Sequence, residues 1–131
     1  QHIAAELVGR FEKERAGLAA MALNTNASNI TAIANDFQYS QIFSRQVEAL
    51  GREGDLFIGI STSGNSANIV NAVECAKSMN ITTVGLTGNT GGALKGLCDF
   101  CICVPSDNTA RIQESHITIG HILCGLIENK F

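Results

Sequence analysis

Three observations in the sequence predict a three-layer αβα sandwich built on a parallel sheet. The strand candidates are continuously apolar rather than alternating, as strands covered on both faces are. Amphipathic helical stretches separate them, which is the order that places helices on both sides of a sheet. The small hydroxyl-rich turn Ser61-Thr62-Ser63-Gly64-Asn65-Ser66 links a strand to a helix, at the carboxyl edge where open parallel sheets bind their ligands.

Taken in order, residues 1–10 set Ile3, Ala4, Leu7 and Val8 on one helical stripe, with no capping residue ahead of them. A charged link over 11–15 follows. Leu18 to Leu23 reads as a short buried strand, Asn24 to Ser28 as a loop and helix cap, and Asn29 to Ala34 as a brief helix. Tyr39 to Leu50 places Ile42, Phe43, Val47 and Leu50 on one helical face, stopped by Gly51. The next strand is Leu56 to Ile60, and the helix Ala67 to Met79 turns Ile69, Val70, Val73 and Ala76 inward. Ile81 to Leu86 is β-rich, Ala93 to Leu97 is a short helix, and the strand Phe100 to Val104 ends at Pro105. A last helix runs from about Thr109 to Asn129 with Ile112, Ile119, Leu123 and Leu126 on its stripe.

The bulk composition supports one globular domain over 1–131. Its 131 residues are 45% hydrophobic and 16% charged, enough apolar material for a core. A net charge of −3 and the lack of any Lys/Arg run interleaved with aromatics speak against nucleic acid as a partner. No apolar run reaches membrane-spanning length. Five cysteines, an odd number set mostly in apolar segments, suit a reducing compartment, the cytoplasm. The spacing Cys98-x-x-Cys101-x-Cys103 invites a metal, but no second pair completes a ligand set, and strand alternation makes Cys101 and Cys103 small core residues.

The turn at 61–66 has two readings. A helix start leaves backbone N–H groups without partners and gathers partial positive charge, so a hydroxyl-rich turn there holds a phosphate without a lysine. The alternative is a capped turn that binds nothing. Neither G-x-G-x-x-G nor Gly-Lys-Ser/Thr is present, so the anion expected is a small phosphorylated ligand rather than a nucleotide. His2 and Glu6, four apart, project from one side of their helix, and Gln113 and His121, eight apart, lie along one side of the last helix. Two imidazoles, a carboxylate and an amide oxygen suit zinc or another divalent ion; the competing reading is a surface pair and a core histidine. His116 lies well around the helix from His121 and reads as structural or surface-facing, and Cys124 as packing.

Asn35-Asp36-Phe37, Phe43-Ser44-Arg45, Gly51 to Asp55, Gly59 to Asn68 and Arg111-Ile112-Gln113-Glu114 closely resemble the bacterial phosphoheptose isomerases of the sugar isomerase (SIS) superfamily. The likeness runs through all 131 residues. It implies a SIS domain, which is flavodoxin-like, and interconversion of sedoheptulose 7-phosphate and D-glycero-D-manno-heptose 7-phosphate by an enediol route, the first step towards ADP-heptose for lipopolysaccharide or other surface glycans. It further implies Glu6 as catalytic base and His121 as catalytic acid. Substrate contacts are implied at Glu6, Asn35, Asp36, Ser61, Thr62, Ser63, Ser66 and Gln113, and one Zn2+ per subunit on His2, Glu6, Gln113 and His121. A homotetramer with sites between subunits is also implied.

The rival within the superfamily is a non-catalytic regulator of replication initiation, or a sugar-phosphate-sensing module. As resemblance has it, that regulator lacks the counterparts of Glu6 and His121, and this chain has both. Relatives carry a further helix, a central strand and a loop rich in glycine and asparagine ahead of the Glu6 helix. The domain is therefore expected to be N-terminally incomplete and the 131 residues unstable alone. Ala110 stands where some relatives have Asp.

Overall fold

The computed structural model describes residues 1–131. In chain order the elements are α1 (His2–Val8), α2 (Ala27–Asp36), a 3-10 turn (Tyr39–Gln41), α3 (Ser44–Leu50), β1 (Leu56–Ile60), α4 (Ala67–Ser78), β2 (Thr82–Gly88), α5 (Gly92–Leu97), β3 (Phe100–Val104) and α6 (Thr109–Glu128). The three strands form one parallel sheet in the order β1-β2-β3, with Ile58 opposite Val84 and Gly85 opposite Cys101. No helix is long and apolar enough to cross a membrane.

Helices cover both faces, as the continuous apolar strands predict. A Cβ built on Gly59 would meet Ile69 and Val73 of α4, and one on Gly85 would meet Leu94 of α5, whereas one on Gly88 would meet Ile112 of α6. Residues 85 and 88 point to opposite faces of a strand, so α4 and α5 lie on one side and α6 on the other. α3 packs on α4, and α1 on α6. Val47, Ala72, Ala76 and Ile81 form a buried cluster joined by Leu23, Phe43 and Phe57, while Leu86 and Leu94 are wholly buried.

Four expectations are corrected. Leu18 to Leu23 is not a strand: the hydrophobic run is there, but Leu18 N–H bonds the carbonyl of Leu7 and Leu23 O accepts from the Gln46 side chain, so no ladder forms. The outer edge of β1 is unpaired, with Leu56 55% and Ile60 45% exposed. The segment from Tyr39 to Leu50 is a 3-10 turn and a separate α3; Ile42 and Val47 are buried but Leu50 is exposed. Leu126 faces solvent on α6, while Ile112 is buried against the sheet. The helix expected at Asn29 to Ala34 is longer, because the Asn26 side chain accepts from Asn29 N–H and starts it earlier.

Candidate active site

The turn after β1 is fixed by the loop after β2. Gly88 N–H donates to Thr62 O, Leu94 N–H to Gly64 O, and Ala93 N–H to the Asn65 side chain. Gly64 has φ +67°, and a Cβ there would lie 2.0 Å from Gly91 O, so only glycine fits between the two loops. Ser66 holds the N-cap position of α4, yet its hydroxyl makes no cap bond and instead shares a 2.8 Å hydrogen bond with Ser61. Hence the Ala67 and Asn68 N–H groups of α4 stay available to an outside anion, while Ile69 N–H donates to Ser66 O. The turn is therefore not closed by its own side-chain cap.

Ile60, Ser61, Thr62 and Ser66 from this turn, Ile3 from α1, and Gln113, His116 and Ile117 from α6 line an open cleft of about 390 Å³. Ser63 is exposed and outside the cleft wall; its hydroxyl accepts from Asn65 N–H. Asn35 and Asp36 are exposed at the end of α2, hydrogen-bonded to each other at 2.9 Å, and do not reach the cleft.

One helical turn along α6 from Ile117, α1 brings its own polar side against His121. His2 Nε2 is 2.9 Å from His121 Nε2 and 3.0 Å from Glu6 Oε1. Donor atoms of His2, Glu6 and His121 all lie within 4.8 Å of one another. Ligands on a tetrahedral zinc stand roughly 3.4 Å apart, given metal–ligand bonds near 2.1 Å, so these three residues fit the ion. Gln113, two turns earlier on the same helix, lines the cleft. Residues 2 to 6 are tied to α6 because Ile3 packs on Gly120, where a Cβ would sit 2.8 Å from Ile3 Cδ1.

His121 is buttressed by Phe11, whose ring stacks on it at 5.4 Å. Behind Phe11 lies Glu128, whose carboxylate accepts from the N–H groups of Phe11, Glu12 and Lys13. Burial pushes that carboxyl upward, but the Glu12, Lys13 and Phe11 donors with the Arg15 charge outweigh it and hold it below the usual range. Arg15 Nε sits 3.2 Å from Glu128 Oε1, an ion pair rather than an aligned hydrogen bond. Its guanidinium also donates to the carbonyls of Glu6 and Leu7.

Of the two readings of His116, the structural one fits and the surface-facing one does not. His116 is 4% exposed and forms part of the cleft wall, with Nε2–H donating to Thr87 O at 3.0 Å and Nδ1 buried without a partner. Among the thiols, Cys101 and Cys103 lie 3.8 Å apart beside Thr87. Burial raises the Cys98 and Cys101 thiols above their ordinary value, the direction that disfavours the thiolate a metal needs.

Comparison with known proteins points one way. A family described as SIS domain matches residues 1–88. The chain is 59% identical over 136 residues to a phosphoheptose isomerase of Aneurinibacillus thermoaerophilus, covering 100% of this chain and 69% of that protein. It is 57% identical over 128 residues to one from Roseiflexus sp., covering 98% of this chain and 65% of the relative. A solved phosphoheptose isomerase from Francisella tularensis superposes with a TM-score of 0.94 at 45% identity, covering 98% of this chain and 69% of that one. The phosphoheptose isomerase GmhA from Neisseria gonorrhoeae gives 0.91 at 45% identity, over 98% and 68%.

Proposed function

This chain belongs to the SIS-domain family of phosphoheptose isomerases, and on that footing we propose that it interconverts sedoheptulose 7-phosphate and D-glycero-D-manno-heptose 7-phosphate, supplying ADP-heptose for surface glycans. The reading is carried by one observation: Glu6 and His121, from opposite ends of the chain, converge beside a hydroxyl-lined cleft at an uncapped helix start.

The phosphate is held by Ser61, Thr62 and Ser66 with the first N–H groups of α4, with Ser63 at the rim. The sugar then extends along α6, past Gln113, so that its carbonyl end meets Glu6 and His121. Isomerisation takes a proton from C1 of the ketose, passes through an enediol, and returns a proton to C2 while the carbonyl moves to C1. Glu6 is the base. Its Oε1 is turned to His2, which leaves Oε2 for the proton. His121 moves protons between the two oxygens as the carbonyl shifts. His2, Glu6 and His121, with Gln113 as the fourth donor, would hold one Zn2+, whose Lewis acidity polarises the carbonyl when it is bound. Asn35 and Asp36 do not line the cleft of their own chain, which fits contacts made across subunits of a homotetramer. Free thiols at all five cysteines fit a cytoplasmic enzyme.

Glu6→Gln and His121→Gln in the intact protein are each expected to lower kcat on sedoheptulose 7-phosphate by about 10²–10⁴-fold, the range for a lost general acid or base. Retention of activity in both variants sinks the assigned roles. The replication-regulator reading is not favoured, because it gives no reason for the Glu6 and His121 convergence.

A further inference from the structure

We infer that the buried Glu128–Arg15 pair is a positioning device that sets both halves of the acid–base centre at once. The side chains are 3% and 7% exposed, so the ion pair lies inside the protein, where a charge without purpose is costly. Two arms leave it. Through Arg15, whose guanidinium donates at 2.8 Å to Glu6 O and 2.7 Å to Leu7 O, it grips the last turn of α1, the turn that carries the proposed base. Through the Phe11 N–H, held at 3.1 Å by Glu128 Oε1, it presents the Phe11 ring to the face of His121.

Helix α1 is only seven residues long and buries no residue fully, so its own packing leaves its pose loosely set. What fixes it is Ile3 on Gly120 at one end and Arg15 at the other. Glu128 lies on the same helix as His121, two turns on, and α6 therefore serves as the common frame to which base and acid are both referenced. Neither Arg15 nor Glu128 touches the cleft, so they act through Glu6, His2 and His121 and not on the substrate.

The inference deepens the proposed isomerase reading and rests on it for its activity arm, while a metal-affinity arm stands apart. Arg15→Lys keeps the charge but cannot fork to two carbonyls and the carboxylate together. Glu128→Gln keeps volume and removes the charge. In the intact protein, each is expected to weaken Zn2+ affinity, measured by chelator competition, by about 10–100-fold, the usual loss for a residue that orients ligands. Each is also expected to lower kcat per folded molecule at least tenfold, with KM for sedoheptulose 7-phosphate changed less than threefold. The folded fraction is read from the thermal transition of the same sample. Folded variants whose Zn2+ affinity and kcat both stay within twofold of the parent overturn the inference, as does activity that falls only in step with the folded fraction. A parent protein that binds Zn2+ but does not isomerise sinks the function proposed above, and the metal arm still decides the role of the pair. A parent that binds no Zn2+ and shows no activity overturns both.

Discussion

At Gly64 the backbone is left-handed, and a Cβ would be pressed to 2.0 Å from Gly91 O. Alanine there meets a left-handed penalty of roughly 1–2 kcal/mol plus the clash, so Gly64→Ala is expected to lose at least about 2 kcal/mol in urea unfolding and to bind inorganic phosphate more weakly. An unchanged urea midpoint would refute the close packing of the two loops. The hydroxyl turn itself is readable from the residues alone, since a strand, small polar residues and a helix start are local signals. The pairing of Glu6 with His121 is not, because nothing local relates α1 to the middle of α6; the resemblance supplied it and the packing of Ile3 on Gly120 explains it. Arg15 and Glu128 escaped notice for a similar reason. A run such as 11–15 usually lies solvated, and only the fold shows its backbone turned inward onto a carboxylate.

Among the elements, β1, α4, β3 and α6 fall within a residue of expectation, because their apolar runs end at firm punctuation: Asp55, Ser66, Pro105 and Asn108. The Leu18 to Leu23 run failed since apolar content names a strand candidate but does not provide a neighbour to bond. Asp99 shows how one side chain joins three elements. It takes Lys77 of α4 at 2.6 Å, and accepts at 2.8 Å from both the N–H and the hydroxyl of Thr83 in β2, just ahead of β3. The Lys77 hydrogen bond first, then those from Thr83, hold its carboxyl well below the usual range. A lowered folded value means the unfolded chain takes up the proton first, so the contribution is complete above the ordinary carboxylate pKa of about 4 and fades as pH falls below it. Melting temperature should therefore drop between about pH 4 and pH 2, and Asp99→Asn should show a shallower drop over that window at a lower starting value. A parallel pair of curves would remove Asp99 from the account.

Across the molecule, only 23 of 131 residues are buried, although the composition is apolar enough for a larger core. The surplus is displayed: Ile122 is 56%, Leu126 59% and Phe100 65% exposed. It is the surface that the proposed homotetramer would cover. Leu126→Lys, on the solvent side of α6, is expected to lower the mass measured by light scattering while leaving helix content intact. A parent protein that is monomeric by the same measurement would end the tetramer proposal. The bare outer rim of β1 has a separate meaning. Leu56-Phe57-Ile58-Gly59-Ile60 carries no charge and no proline, the devices that keep such a rim from recruiting a stranger's backbone. Wherever that rim goes uncovered, a foreign chain can zip onto it, so the molecule would leave solution faster as its concentration rises.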